Sequence, residues 1–466
     1  MKMESQKIKR KTLGVIDASF LHMEKRSTPM HVAVLMTFRL PNSASKEFVH
    51  DVVASLRDDA KEVQAPWNQR LSEKMYSNLI PITETYSNID LTYHVRHSCL
   101  PSSGGERELG ELVSHLHSQL LDRSVPLWTC HVIEGLSEDR FAIYLKMHHA
   151  LTDGVNGIRM ATRCLSSVPS GDWCAPWHYM RPVKNRNKRG ISGKLNVKFG
   201  GLASTFKSGG KALVEMSRPY TNVRGTTDHI SIPFQAPHCS LNGTITAARR
   251  VATQQFDMER IRLISNKTNT SVNDIFLTVC STALKRHLES INDLPVNPLI
   301  AGVPVSLREE GVEGGNAIGF VWASLATDES SSISRLESIN ASMTAAKEHL
   351  GRLPKKIRPI YTAAYMVPTI ALLVSGLITR TKPPMNLTIS NVPGPEGSLF
   401  MEGAELCNLY PISIPLQGLA LNITAISYAG KLNVGFTGSR DNLPHLQRLA
   451  VYAEEALSEL ELETGQ

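Results

Sequence analysis

The sequence predicts an α/β protein built from two halves, and three observations predict it. Strand-like apolar runs alternate with helical periodicity as far as Trp177, and the same alternation resumes after Pro233. Between them lies a stretch rich in Gly, Ser and Asn that carries nine Lys or Arg from Arg181 to Lys211 and no Asp or Glu. We therefore divide the 466 residues into an N-terminal domain at 1–180, a basic linker at 181–233 and a C-terminal domain at 234–466.

The elements follow in chain order. Strands are predicted at 31–38 (HVAVLMTF), 128–133 (WTCHVI) and 141–147 (FAIYLKM). A helix is predicted over 106–120, where Leu109, Leu112, Val113, Leu116 and Leu120 recur at spacings of three and four and so share one face. The second half opens with a helix at 271–289, followed by strands at 298–307 and 320–325. It closes with a hairpin whose turn is Tyr428-Ala429-Gly430. The run at 360–378 (IYTAAYMVPTIALLVSGLI) approaches the length of a membrane span, but Pro368 in its middle breaks the helical hydrogen-bond ladder. We expect a pair of helices lining an apolar tunnel or touching a membrane, or a plain core helix, and no span.

Seven scattered cysteines without a CxxC pair predict a reducing compartment, no disulfide framework and no zinc site. The N-terminus lacks the apolar core of a signal peptide, so a cytoplasmic protein is expected. A net charge of +7 and a pI near 9.0 point to anionic partners. No helix-turn-helix, zinc-finger or RNA-binding pattern accompanies the basic run, which argues against nucleic acid. A solvated linker and a docking segment for an anionic lipid surface both fit it.

The chemistry is concentrated at His148-His149-Ala150-Leu151-Thr152-Asp153-Gly154, directly after the strand at 141–147. Among sixteen histidines, His149 alone has an Asp four residues later. The end of a strand, before a tight turn, holds an imidazole rigidly at a cleft. Transfer of an acyl group to an alcohol needs a base that ionises near neutrality, because a hydroxyl is a poor nucleophile until its proton is removed. His149 suits that role. No GxSxG elbow, phosphate loop, dinucleotide fingerprint or HExxH accompanies it. Direct attack by the acceptor is thus favoured over a covalent acyl-enzyme, and no metal is expected at the site.

With these residues the sequence resembles the bacterial wax ester synthase/diacylglycerol acyltransferase family, part of the HHxxxDG group of CoA-dependent acyltransferases. The resemblance runs along nearly the whole chain. It includes Pro29-Met30-His31-Val32, Pro126-Leu127-Trp128, Val132-Ile133-Glu134-Gly135, Asn273-Asp274 and Ser390-Asn391-Val392-Pro393-Gly394-Pro395. It implies two chloramphenicol-acetyltransferase-like domains with an active-site tunnel at their interface. Acyl-CoA would serve as a substrate, with no cofactor, and a fatty alcohol or diacylglycerol would be the acceptor. His148 braces its neighbour; carried over by position, His149 is the base, Asp153 a structural group and Gly154 the residue that lets the loop turn. Arg308, at the end of AGVPVSLR, is implied as the partner of Asp153. Asn391 is the first candidate for an oxyanion donor and Ser390 the second, while Asn273 and Asp274 read first as a helix start and by resemblance as site-shaping. Substrates that dissolve in lipid imply peripheral association with the inner membrane or lipid inclusions. A peptide-bond-forming condensation domain shares HHxxxDG but normally works beside carrier domains, for which no room is expected after Asp441. A catalytically inert lipid-surface protein is the other alternative, and an intact HHALTDG argues against it.

Overall fold

The computed structural model describes residues 10–72, 81–180, 230–306, 318–354 and 358–465. The basic run from Arg181 to Lys211 and the candidate Arg308 lie outside these described residues. The first half forms β1 (Arg10–Thr12), α1 (Val15–Met23), β2 (His31–Arg39), α2 (Phe48–Leu56), β3 (Gln69–Leu71), β4 (Ile82–Thr85) and α3 (Leu91–His94). It continues through β5 (Val95–Gly104), α4 (Glu106–Ser118), β6 (Trp128–Leu136), β7 (Arg140–His148) and α5 (Gly154–Thr162). The second half forms β8 (Arg249–Asp257), α6 (Met258–Thr268), α7 (Val272–Ser290), β9 (Ile300–Ser306), β10 (Ile318–Ser324), α8 (Ser332–Arg352) and α9 (Arg358–Ser375). It ends with β11 (Leu387–Val392), β12 (Phe400–Met401), β13 (Ala404–Ile412), β14 (Leu421–Tyr428), β15 (Lys431–Ser439) and α10 (Gln447–Glu463).

Two six-stranded sheets organise the molecule, in the orders β12-β13-β2-β7-β6-β5 and β10-β9-β11-β14-β15-β8. In the first, β2 is buried on both faces, which explains why 31–38 reads as a nearly continuous apolar run. Val34, Met36 and Phe38 pack with Val49, Val52, Val53 and Leu56 of α2. Ala33 and Leu35 pack against the Leu109, Val113 and Leu116 stripe of α4. In the second, Ile389, Ile423, Val434 and Phe436 form one apolar face beneath α6, α7, α8 and α10. The predicted hairpin is present, with left-handed φ at Ala429 (45°) and Gly430 (74°), the pattern that joins two strands by two residues.

The division of the chain does not coincide with the division of the sheets. β12 and β13 belong to the second half in sequence, yet β13 pairs antiparallel with β2 of the first. Polar side chains add to the contact between the two sheets. Gln255 donates to Asn408 and Asn433, Asn408 donates to Thr37 (2.8 Å), and the Ser413 amide donates to Thr437 (3.2 Å).

The 360–378 run differs from expectation. It forms one helix, α9, which continues through Pro368, rather than a pair. Tyr361 and Tyr365 are buried against the second core, with Tyr365 5.5 Å from the Trp322 ring. Val367 and Val374 on other faces are 59 % and 53 % exposed, so α9 is not a core helix either. No helix among the described residues is long and apolar enough to cross a membrane.

At Gly435 β15 passes close against β13, since a Cβ there would lie 1.8 Å from the Pro411 carbonyl oxygen. Backbone on both sides leaves nothing flexible to yield. Gly435→Ala should lower unfolding free energy by about 3 kcal/mol, read by urea denaturation. Gly397→Ala, with open space at the Cβ position, should be nearly neutral.

Candidate active site

The HHALTDG loop is an extension of the β2/β7 pair. His31 of β2 lies opposite His148, the last residue of β7. Beyond it the His149 amide donates to the Met30 carbonyl (2.9 Å), and the Leu151 amide turns back to the His148 carbonyl (2.9 Å). The His149 ring stacks on Phe20 of α1, with centroids 4.0 Å apart and planes 20° apart. Burial lowers its pKa to about 4, although its own backbone carbonyl and the Asp153 charge favour the protonated ring. The imidazole is therefore neutral at physiological pH, and its Nδ1 is buried.

His148 points the other way, as alternation along a strand requires. Its Nδ1 accepts from the Ala150 amide (3.0 Å), which places the ring proton on Nε2, 3.3 Å from Glu24 Oε1. Both side chains are almost fully buried, at 0 % and 4 % exposure. Glu24 also accepts from the Met30 amide (3.1 Å) and from Arg123 Nε (3.1 Å) and Nη2 (2.8 Å). Burial alone would raise its pKa. His148, the Met30 amide and Arg123 outweigh that and hold it at about 2.

The loop from Glu24 to Met30 is tied to the second half of the chain. Arg249 donates to the Ser27 carbonyl (2.9 Å), and Gln417 Nε2 reaches Ser27 Oγ (3.2 Å), Thr28 Oγ1 (3.4 Å) and the Ile245 carbonyl (3.0 Å). Below the loop, Lys146 shares the β7 face of His148. It donates to the Leu116 and Gln119 carbonyls (2.8 Å each), capping the C-terminal end of α4. Burial lowers its pKa to about 7.

Asp153 caps α5, accepting from the Asn156 amide (2.8 Å) and the Asn156 side chain (2.9 Å). It thereby anchors the end of the HHALTDG loop to a helix. Its implied partner Arg308 lies outside the described residues. Gly154 is the first residue of α5, its φ is not left-handed, and an added Cβ would meet nothing within 4 Å. The turn therefore does not require glycine, contrary to expectation; what Gly154 leaves is open space.

Ser390 and Asn391 lie on β11 and not in a loop. Consecutive strand residues face opposite ways. In the parallel register Asn391 matches Ala425, whose face belongs to the helix-covered core, while Ser390 matches Thr424. Val392 and Ile426, of the same parity as Ser390, join the core of the first half. Ser390 thus shares the face of β11 that joins the core of the first half, and Asn391 the opposite face. No hydrogen bond joins either to His149. Asn273 and Asp274 open α7, where Ser271 and Asp274 form a reciprocal cap, and Asn340 of α8 donates to Asp274 (3.0 Å). Asp274 is buried and serves the packing of α7 on α8.

The profile of the wax ester synthase/diacylglycerol acyltransferase catalytic domain matches residues 13–276, and that of the WS/DGAT C-terminal domain matches 314–461. The chain belongs to the wax ester synthase/diacylglycerol acyltransferase family. It is 38 % identical to an O-acyltransferase WSD of Acinetobacter baylyi, over 96 % of each chain. It is 40 % identical to a putative diacylglycerol O-acyltransferase of Mycobacterium tuberculosis, over 97 % of each. Among solved structures, the wax ester synthase/diacylglycerol acyltransferase from Marinobacter aquaeolei VT8 matches with a TM-score of 0.79 and 36 % identity, covering 98 % of this chain and 100 % of that one. A trichothecene 15-O-acetyltransferase from Fusarium sporotrichioides matches with a TM-score of 0.58 at 12 % identity, over 98 % of this chain and 96 % of that one, a likeness of fold alone. The chain is accordingly an O-acyltransferase of two chloramphenicol-acetyltransferase-like domains.

In this family member, sequence reasoning missed Glu24, Arg123, Phe20 and the Arg249 and Gln417 clamp. The buried charge makes a test. Glu24 stabilises the fold above its ordinary pKa of 4.5, and that contribution is lost as pH falls toward about 2. Glu24→Gln should cost about 2 kcal/mol at pH 7, discounted for the partly exposed Arg123. The gap from wild type should close as the pH drops through that window, as read by denaturation at several pH values. Acyl transfer should fall about tenfold to a hundredfold through misplacement of the loop.

Proposed function

We propose that this acyltransferase moves a fatty acyl group from acyl-CoA to a long-chain alcohol, a diacylglycerol or both, with His149 as general base and no covalent acyl-enzyme. The observation that carries the reading is a neutral, buried imidazole, stacked on Phe20 and fixed through its amide, at the end of β7. With Nδ1 buried beside the residue's own backbone, Nε2 is the atom offered to the acceptor.

The acceptor hydroxyl gives its proton to His149 as its oxygen attacks the thioester carbonyl carbon, and the carbonyl π electrons move to oxygen. The C–S bond then breaks, and the departing thiolate takes the proton from imidazolium, leaving ester and free CoA thiol. Asp153 and the His149 carbonyl stabilise the transient imidazolium. Ser390, on the inward face of β11, is the donor we assign to the developing oxyanion. No cofactor enters these steps. On this reading the enzyme works from the cytoplasm, peripherally at the inner membrane or on lipid inclusions, where its lipid-soluble acceptors reside. The exposed Val367 and Val374 and the basic run from Arg181 to Lys211 support docking without spanning.

His149→Ala should lower kcat/KM by about 10²–10⁴-fold in a protein that still folds and binds acyl-CoA, measured by CoA release with each acceptor. Activity within tenfold of wild type would refute the base assignment. Since the ring ionises near 4 rather than 6.5, the acid limb of kcat/KM should fall well below the ordinary imidazole range. Co-sedimentation with anionic vesicles should weaken steeply with salt and on replacing the nine linker cations by Gln. Binding that ignores both would refute electrostatic docking.

A further inference from the structure

Away from the catalytic loop, three potential metal ligands converge at the other end of the first sheet. They are His50 of α2, His97 of β5 and Glu134 of β6, and one donor atom from each lies within 4.8 Å of the others. The topology accounts for the meeting. β5 and β6 run parallel with His97 opposite Val132, so Glu134, two residues on, is the diagonal neighbour of His97 on the same face. Just beyond Glu134 the β6/β7 register shifts between Ile133 and Leu136, and Gly135 adopts φ 84°. α2 packs Val49 and Val53 on this face of the sheet, which brings His50 over the pair.

The geometry is that of an uncrowded ligand set. His97 Nε2 is buried, makes no aligned hydrogen bond and lies 3.4 Å from Glu134 Oε1. Two ligands of one tetrahedral ion at about 2.0–2.1 Å are separated by about 3.4 Å. The His50 and His97 rings stand edge to face, with centroids 4.8 Å apart, and His50 is exposed. Two imidazoles and a carboxylate, with a fourth position open to water, suit a borderline divalent ion.

We propose that His50, His97 and Glu134 bind one divalent transition-metal ion, Zn²⁺ or a close analogue, and that the ion staples α2 to the β5/β6 edge. Trp128 of β6 pairs with Met147 beside the catalytic loop, and Glu134 is six residues along, roughly 20 Å away at strand rise. The ion therefore acts on the stability of the first half and takes no part in acyl transfer.

The test uses the full chain stripped with chelator, then titrated calorimetrically with Zn²⁺ alone and followed by thermal unfolding and by Co²⁺ absorption. One equivalent should bind, raising the melting midpoint, with a Co²⁺ spectrum free of thiolate charge transfer. His50→Ala, an exposed change that spares the fold, should weaken binding at least about tenfold, the scale on which even outer partners of a metal act. His97→Ala and Glu134→Gln should do the same. His149→Ala should bind as wild type, and His50→Ala should transfer acyl groups as wild type. Absence of binding, binding undiminished in His50→Ala, or a thiolate band would each overturn the proposal.

Discussion

The placement of the His149 imidazole depends on one buried carboxylate. Glu24 is 4 % exposed and ionised, a state that costs several kcal/mol unless donors replace the lost water. His148, the Met30 amide and Arg123 supply them. Each donor belongs to a different segment, so satisfying one charge also fixes the start of β2, the end of β7 and the loop before Pro126. The Met30 residue whose amide binds Glu24 holds the His149 amide through its carbonyl. A displacement at Glu24 is therefore felt at His149 within two hydrogen bonds.

The same loop connects the two halves. Ser27 and Thr28, midway between Glu24 and Met30, are held by Arg249 and Gln417 from the second half. Donation of β13 to the first sheet, and the absence of room for even a Cβ between Gly435 and Pro411, keep the halves from sliding past one another.

What the sequence made legible was local. The strands at 31–38, 128–133 and 141–147 and the α4 stripe declare themselves because burial on a regular element imposes a period on the side chains. The Tyr428-Ala429-Gly430 turn is legible because only a few residues adopt left-handed φ. HHALTDG is legible because a strand end and a helix cap flank it. Glu24 leaves no such trace: as a single carboxylate beside Lys25 and Arg26 it reads as surface charge, and only the fold brings Arg123 and His148 to it. Pairing of β13 with β2 is equally silent, since register with a strand some 370 residues away has no local signature. Ser390 and Asn391 read as a loop because of the Pro and Gly that follow, yet both lie on β11, where consecutive residues face opposite ways.

Burial of His149 carries an apparent contradiction for the proposed mechanism. A pKa of about 4 guarantees the free base at neutral pH but also marks a weak base. The resolution lies in what the burial acts upon. Desolvation penalises imidazolium whenever it forms, whereas Asp153 and the His149 carbonyl are fixed in place before the reaction by the α5 cap and by the Met30 bond. Their attraction is weak toward the neutral ring and strong toward the cation. An oxyanion developing nearby, in a site closed to water by bound acyl chain and acceptor, adds a further negative charge at the moment the proton moves. The pKa of the ring thus rises along the reaction coordinate, and the environment that keeps His149 neutral at rest stabilises its charged form only in company with the transition state.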